Sequence, residues 1–365
     1  MFIARIFTAA LLVLVLSACV GAGVPRSSVS SPQPVPALPS AAPSTEPSDA
    51  AEPSPTASAP TESGEHAATG LALVQFPGGN DDPASQVFVA APDGNLRQVT
   101  GMSGTLPGAA WPVWSPDRSQ ITFQGPKVGS PGVKGLIGVV NADGTGERYL
   151  SEGTNPRWSP DGTRLLVEEV DDVTSEPPSM FIVDVASDEV TDIGQGFNPQ
   201  WLGDGEVVSF NRVVEQSGGA FASVLFTMSL DGGEPVEMAP ETDAFWSPDG
   251  SSVLFVREGN ITLAAADGSN PMDLATGFAP VWSPDGTRVV FAYDHDQDGT
   301  PILAVVDLEG SEIWSGVSGT TPTWSPDGSR IAIEVPYPEA SVQVLDAATG
   351  ELLWETVGMH PAWSN

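Results

Sequence analysis

Covalent cross-linking is missing from this chain: among 365 residues there is one cysteine, Cys19, so no internal disulfide can form and the core must hold by packing. Lysine occurs twice and histidine three times, while 47 acidic residues face 13 basic ones for a net charge of −34. Such a field argues against nucleic acid and anionic lipid surfaces as partners. No apolar run reaches the roughly 20 residues of a membrane-spanning helix. Catalytic signatures are lacking too. There is no H-E-x-x-H, no G-x-S-x-G, no phosphate-cradling glycine loop and no second thiol, which removes the common routes to a metalloprotease, serine hydrolase or nucleotide-using enzyme. The reading is therefore of a protein without catalytic residues. Carboxylate-based glycan cleavage stays open as a lesser alternative, because Asp and Glu are abundant.

What is present divides the chain into three parts. Residues 1–18 carry Arg5, an apolar stretch from Ile6 to Leu16 and the small residues Ser17 and Ala18, the layout of an export signal. Leu16-Ser17-Ala18-Cys19 resembles the lipobox of bacterial lipoproteins, which implies a lipidated Cys19 and attachment to the outer face of the cytoplasmic membrane. Residues 19–69 are dominated by Pro, Ser, Ala, Thr and Glu. A segment so poor in large apolar side chains cannot offset its ordering entropy, and a disordered linker is expected. At about 3.1 Å per residue it would reach on the order of 150 Å.

From residue 70 to 365 the pattern is a repeat. Tryptophans followed by turn residues stand at 114, 158, 201, 246, 282, 324 and 363, at intervals of 36 to 45 residues. Four copies read Trp-Ser-Pro-Asp-Gly in full, from Trp158, Trp246, Trp282 and Trp324. Each interval holds short β-branched and aromatic runs separated by Gly, Asp and Pro turns, four strands per repeat, which predicts propeller blades. The first stretch, 71–100, supplies three strands, and the terminal "HPAWSN" supplies one. Joined, they complete a seventh blade and close the ring. The fold expected is all-β: a seven-bladed β-propeller with circular closure, monomeric.

These residues resemble the TolB-like, WD-repeat-related propeller family, in which x-P-x-W-S-P-D-G recurs in each blade. The resemblance covers nearly all of 70–365 and implies the fold and an envelope location far more than any one activity. TolB itself has six blades and an extra N-terminal α/β domain. Here a linker stands in that domain's place, Arg118 replaces the usual turn glycine, and Trp201 is followed by Leu-Gly-Asp-Gly.

The repeated turn is expected to be structural, with Pro fixing φ, Asp bonding the backbone ahead of it and Gly taking the left-handed conformation. Its seven copies would be too far apart to share an ion. Function is then expected on the opposite face, at the channel mouth, where the residue three before each tryptophan enters. Round the ring these are Trp111, Asn155, Asn198, Asp243, Ala279, Thr321 and His360. All but Ala279 are candidate partner- or ligand-binding residues; the alternative is that they merely satisfy local backbone. Nearby, Asp294, Asp296 and Asp298 precede Gly299 with the spacing of half a calcium loop, although Val305 stands where a bidentate Glu is expected. A plain hydrophilic hairpin competes with that reading. The function expected is a noncatalytic protein-binding or scaffolding module at the cell envelope, with a sensor of a small ligand, metal or wall glycan as the alternative.

Overall fold

The structure is a computed structural model. It describes residues 70–76, 85–91, 95–101, 108–126, 135–169, 177–215, 221–239, 244–257, 259–294, 300–336 and 340–364. Residues 1–69, with the signal, Cys19 and the linker, lie outside this set, as do Asp243, Asp296 and Asp298.

Twenty-eight strands, β1 to β28, form seven four-stranded antiparallel sheets, and no helix occurs among the described residues. Six sheets are simple meanders. The seventh takes β28 (Met359–Trp363) from the end of the chain and β1 (Leu71–Gln75), β2 (Gln86–Ala90) and β3 (Leu96–Gln98) from the beginning, in that order. Leu71 pairs with Trp363 and Ala72 with Ala362, and the Ser364 N–H donates to the Gly70 carbonyl at 3.0 Å. The ring expected from the sequence is thus closed, and the edge of β1 is covered.

Each blade begins with a strand that carries the repeat tryptophan: β4 (Ala110–Trp114), β8 (Thr154–Trp158), β12 (Phe197–Leu202), β16 (Ala244–Trp246), β20 (Phe278–Trp282), β24 (Thr320–Trp324) and β28. These strands neighbour one another around the axis, and β12 reaches β16 through Gln200 Nε2, which donates to the Ala244 carbonyl at 2.6 Å. The second strand of a blade has a largely apolar middle because both of its faces are covered. Leu165, Leu166 and Val167 have no solvent exposure at all.

The core consequently lies between sheets, and the tryptophan joins them. Trp282 packs with Leu254 and Ile261 of the preceding blade and with Val289 and Phe291 of its own. Its indole N–H donates to the Phe245 carbonyl at 2.8 Å. Trp158, Trp201 and Trp324 repeat that bond to the carbonyls of Val113, Arg157 and Val281, in each case the residue before the preceding tryptophan. Trp246 turns instead to Ser209 Oγ.

The turn after the tryptophan closes on itself. Ser283 Oγ donates to Asp285 Oδ1 at 2.5 Å, Thr287 gives Asp285 both its N–H and its hydroxyl, and the Arg288 N–H donates back to Ser283 Oγ at 2.9 Å. The same network recurs at Asp117, Asp161, Asp249 and Asp327. The operative motif is therefore Trp-Ser-Pro-Asp-Gly-Ser/Thr. Arg118 takes the glycine's place at φ 63°, so the hairpin keeps its form without glycine.

Candidate site at the channel mouth

In most blades the first strand carries a proline two residues before its tryptophan, and that proline breaks the ladder at the site. Pro112, Pro156, Pro199, Pro280, Pro322 and Pro361 hold this position in six of the seven blades. Proline has no N–H for the ladder and disfavours the helical region for the residue before it. Register skips follow in each case, for example between Ala110 and Val113 and between Thr320 and Thr323. The residue before the proline has positive φ, in the left-handed region, in all six: Trp111 (φ 50°), Asn155 (52°), Asn198 (52°), Ala279 (50°), Thr321 (47°) and His360 (50°). Bulges of this kind re-aim a side chain. Of the positions chosen from the sequence, all but Asp243, which lies outside the described residues, are thus built alike, as one repeated bulge on the innermost strand.

Two clusters form among them. Trp111 and His360, on adjacent first strands, stack with ring centroids 3.6 Å apart and planes 20° from parallel. The His360 N–H donates to Glu334 Oε2 at 3.0 Å. In the next two blades, Glu168 accepts from Asn155 Nδ2 at 2.5 Å and from the Asn198 N–H at 2.7 Å. Glu168 lies on β9 (Arg164–Glu169) and Glu334 on β25 (Arg330–Val335), and each braces the bulge of the next blade. Backbone satisfaction and site construction are here the same contact. Thr321 is exposed.

The two glutamates were not among the residues singled out from the sequence. Their signal was present: an acid inside a strand apolar on both faces, in "LLVEE" and "IAIEV". A buried carboxylate needs hydrogen-bond donors, and a backbone N–H that has lost its ladder partner supplies one. Burial pushes the Glu334 carboxyl above its usual range, against the pull of the His360 N–H. Burial likewise pulls His360 down to about 4, so its ring is neutral at neutral pH, and its Nδ1 is buried without a hydrogen-bond partner.

Arg157, one residue before Trp158, completes the inner wall. It is exposed to solvent on an innermost strand, yet protein around it desolvates the guanidinium. That enclosure lowers its guanidinium pKa and Glu168 opposes the shift; an arginine stays cationic throughout. Beside the mouth, a shallow pocket of about 360 Å³ opens between two blades, lined by Val256, Thr276, Phe278, Tyr293 and Asp294 among others. Asp294 is exposed there; since Asp296 and Asp298 lie outside the described residues, the calcium expectation does too. Among the described residues no group of three or more His, Cys, Asp or Glu is placed to hold a metal ion.

The sequence profile of the TolB beta propeller domain matches residues 80–313. Similar solved structures include TolB from Acinetobacter baumannii, at 17% identity over 80% of this chain and 66% of that one, with a TM-score of 0.49. The beta-propeller domain of the Trilobed protease from Pyrococcus furiosus is similar at 15% identity over 78% of this chain and 94% of that domain, TM-score 0.56. Prolyl oligopeptidase B from Galerina marginata is similar at 12% identity over 81% of this chain and 53% of that enzyme, TM-score 0.57. This chain therefore spans only 66% of the TolB chain and about half of the oligopeptidase. At these identities the likeness concerns the fold alone. No curated protein sequence matches. With seven four-stranded blades, a tryptophan on the first strand of each, and a profile match over most of the repeat region, the chain belongs to the TolB beta propeller domain family.

Proposed function

We propose that this protein is an extracytoplasmic lipoprotein, held to the membrane through Cys19, whose propeller binds a protein partner noncatalytically at the channel mouth. The observation that carries this reading is the repeated proline bulge. It spends backbone strain at the same point in blade after blade to aim Trp111, Asn155, Asn198, Thr321 and His360 at one end of the channel. The stacked Trp111–His360 pair offers an aromatic platform there, a surface type enriched at protein interfaces. Family membership and the lipobox resemblance support an envelope location, and a linker of some fifty residues would let the propeller reach a partner away from the membrane.

A small ligand is the second reading, and the pocket beside Phe278 and Tyr293 favours it. In-cell photo-crosslinking separates the two. A photoreactive residue at Thr321 should give a discrete protein adduct, and one at Ala348, exposed on the face of the tryptophan turns, should not. Adducts at Ala348 alone would move the interface to the other face; no adduct at either, with a small molecule bound in the pocket, would favour the second reading.

A further inference from the structure

The seven first strands act as controls for one another. Counting the residue just before each tryptophan gives Val113, Arg157, Gln200, Phe245, Val281, Thr323 and Ala362. All keep solvent exposure, whereas the tryptophans of these strands are mostly buried. The strands line the axis, so the solvent that reaches these side chains is the solvent of the channel. Six of the seven are uncharged, and Arg157 alone carries a charge, in a protein with a net charge of −34.

That charge has little to hold. Its hydrogen bond is a long one, from Nη2 to Asn198 Oδ1 at 3.5 Å. Glu168 is the carboxylate that influences it, but its oxygens are taken by Asn155 Nδ2 and the Asn198 N–H. No ion pair joins Arg157 to a carboxylate among the described residues. Other arginines of the ring are spent on packing: Arg164 lies over Trp201 and Arg288 over Trp324, each donating to a turn carbonyl of the next blade. A guanidinium has five donors in a planar fork suited to an oxyanion, and partial desolvation between protein walls strengthens such a bond.

We propose that Arg157, with the Asn198 amide beside it, forms a carboxylate-binding subsite inside the central channel. A carboxylate fits better than a phosphate. One guanidinium balances one negative charge, while Glu168 and the acidic surroundings oppose a second. The carboxylate can belong to an acidic side chain of an inserted segment or to a chain terminus or small acid. The inference deepens the channel-mouth reading by giving the channel a chemistry. It is tested in the purified chain, so it stands or falls separately from the capture of a cellular partner.

The test is a titration of the full chain labelled with ¹⁵N-arginine, following the Arg157 Nε–H resonance, which is assigned by its loss in Arg157→Lys. The probes are N-acetylglycine, the capped peptide acetyl-Gly-Glu-Gly-amide, its glutamine counterpart, and inorganic phosphate. A saturable shift is expected with at least one carboxylate probe, and the tighter of the two identifies the source. No saturable shift is expected with the glutamine peptide, and phosphate should bind more weakly than the tighter carboxylate. Arg157→Gln, at unchanged melting temperature, should weaken binding about tenfold or more. Absence of a saturable shift with both carboxylates overturns the proposal, as does equal binding of the glutamine peptide, tighter binding of phosphate, or undiminished affinity in Arg157→Gln. The wild-type titration decides the matter even where the variant fails to fold.

Discussion

The repeat tryptophans sit between two sheets, and five of the seven, Trp158, Trp201, Trp246, Trp282 and Trp324, donate their indole N–H to the blade before. Trp324, 4% exposed and bonded to the Val281 carbonyl at 3.2 Å, should cost about 3–5 kcal/mol when cut to alanine, measured by denaturant unfolding. Trp201, in the irregular Leu-Gly-Asp-Gly copy and less buried, should cost less. The aspartates that follow carry a pH signature. The Ser247 and Ser325 hydroxyls are the largest causes that hold Asp249 and Asp327 down at about 2, with further help from the Ser251 and Ser329 groups. A depressed carboxylate stabilises the fold above its unfolded value near 3.8, and that contribution is lost as pH falls toward 2. Replacing Ser247 by Ala should therefore shrink the difference in stability between pH 5 and pH 2 relative to the wild type. His360 works in another window. Its folded pKa near 4 lies below the ordinary 6.5, so the unfolded chain binds the proton first and stability falls as pH drops from 6.5 to 4. His360→Gln should flatten the melting-temperature profile in that interval; a profile unchanged from the wild type would contradict the burial described.

At the scale of the element, the informative unit is the first strand with its proline bulge. Left-handed backbone is costly for a β-branched residue, and Thr321 sits there at φ 47°. Thr321→Gly should raise the melting temperature, since glycine accepts this region freely; a loss of stability would contradict this. Strands, turns and the count of blades were legible in the sequence because each is written in local chemistry: alternating or continuous apolar runs, the Pro-Asp-Gly turn, the spacing of tryptophans. The mouth positions were legible as a place, three residues before each tryptophan. Their conformation was not, because it arises when a proline denies a bond to a neighbouring strand, which no single stretch displays. Glu168 and Glu334 were missed for a related reason: their partner N–H groups lie thirty and twenty-six residues away, on the next blade. Arg157 differs from its six counterparts only when the copies are aligned on the channel.

Taken as a whole molecule, the propeller depends on its seam. The tryptophans away from it each donate to the blade before, Trp246 to Ser209 Oγ and the others to a carbonyl, but the indole nitrogens of Trp363 and Trp114, flanking the joint of β28 with β1, are buried without partners. Leaving a buried donor unmade costs about 1–3 kcal/mol. Opening should therefore start at this joint, and hydrogen exchange should be faster in β1 and β28 than in β20 and β24; uniform protection round the ring would contradict it. The closed ring also divides the molecule into a face of tryptophan turns, consumed by self-contained hydrogen bonding, and a face on which the innermost strands begin with their bulges. That division is the centre of the account. The measurement that tests it most directly compares the affinity of the cross-linked partner for Thr321→Arg and for Ala348→Arg, two exposed positions on opposite faces given the same added charge, with melting temperatures matched to the wild type. The account predicts at least about a tenfold loss for Thr321→Arg and no change for Ala348→Arg; the reverse pattern, or equal losses, would contradict it.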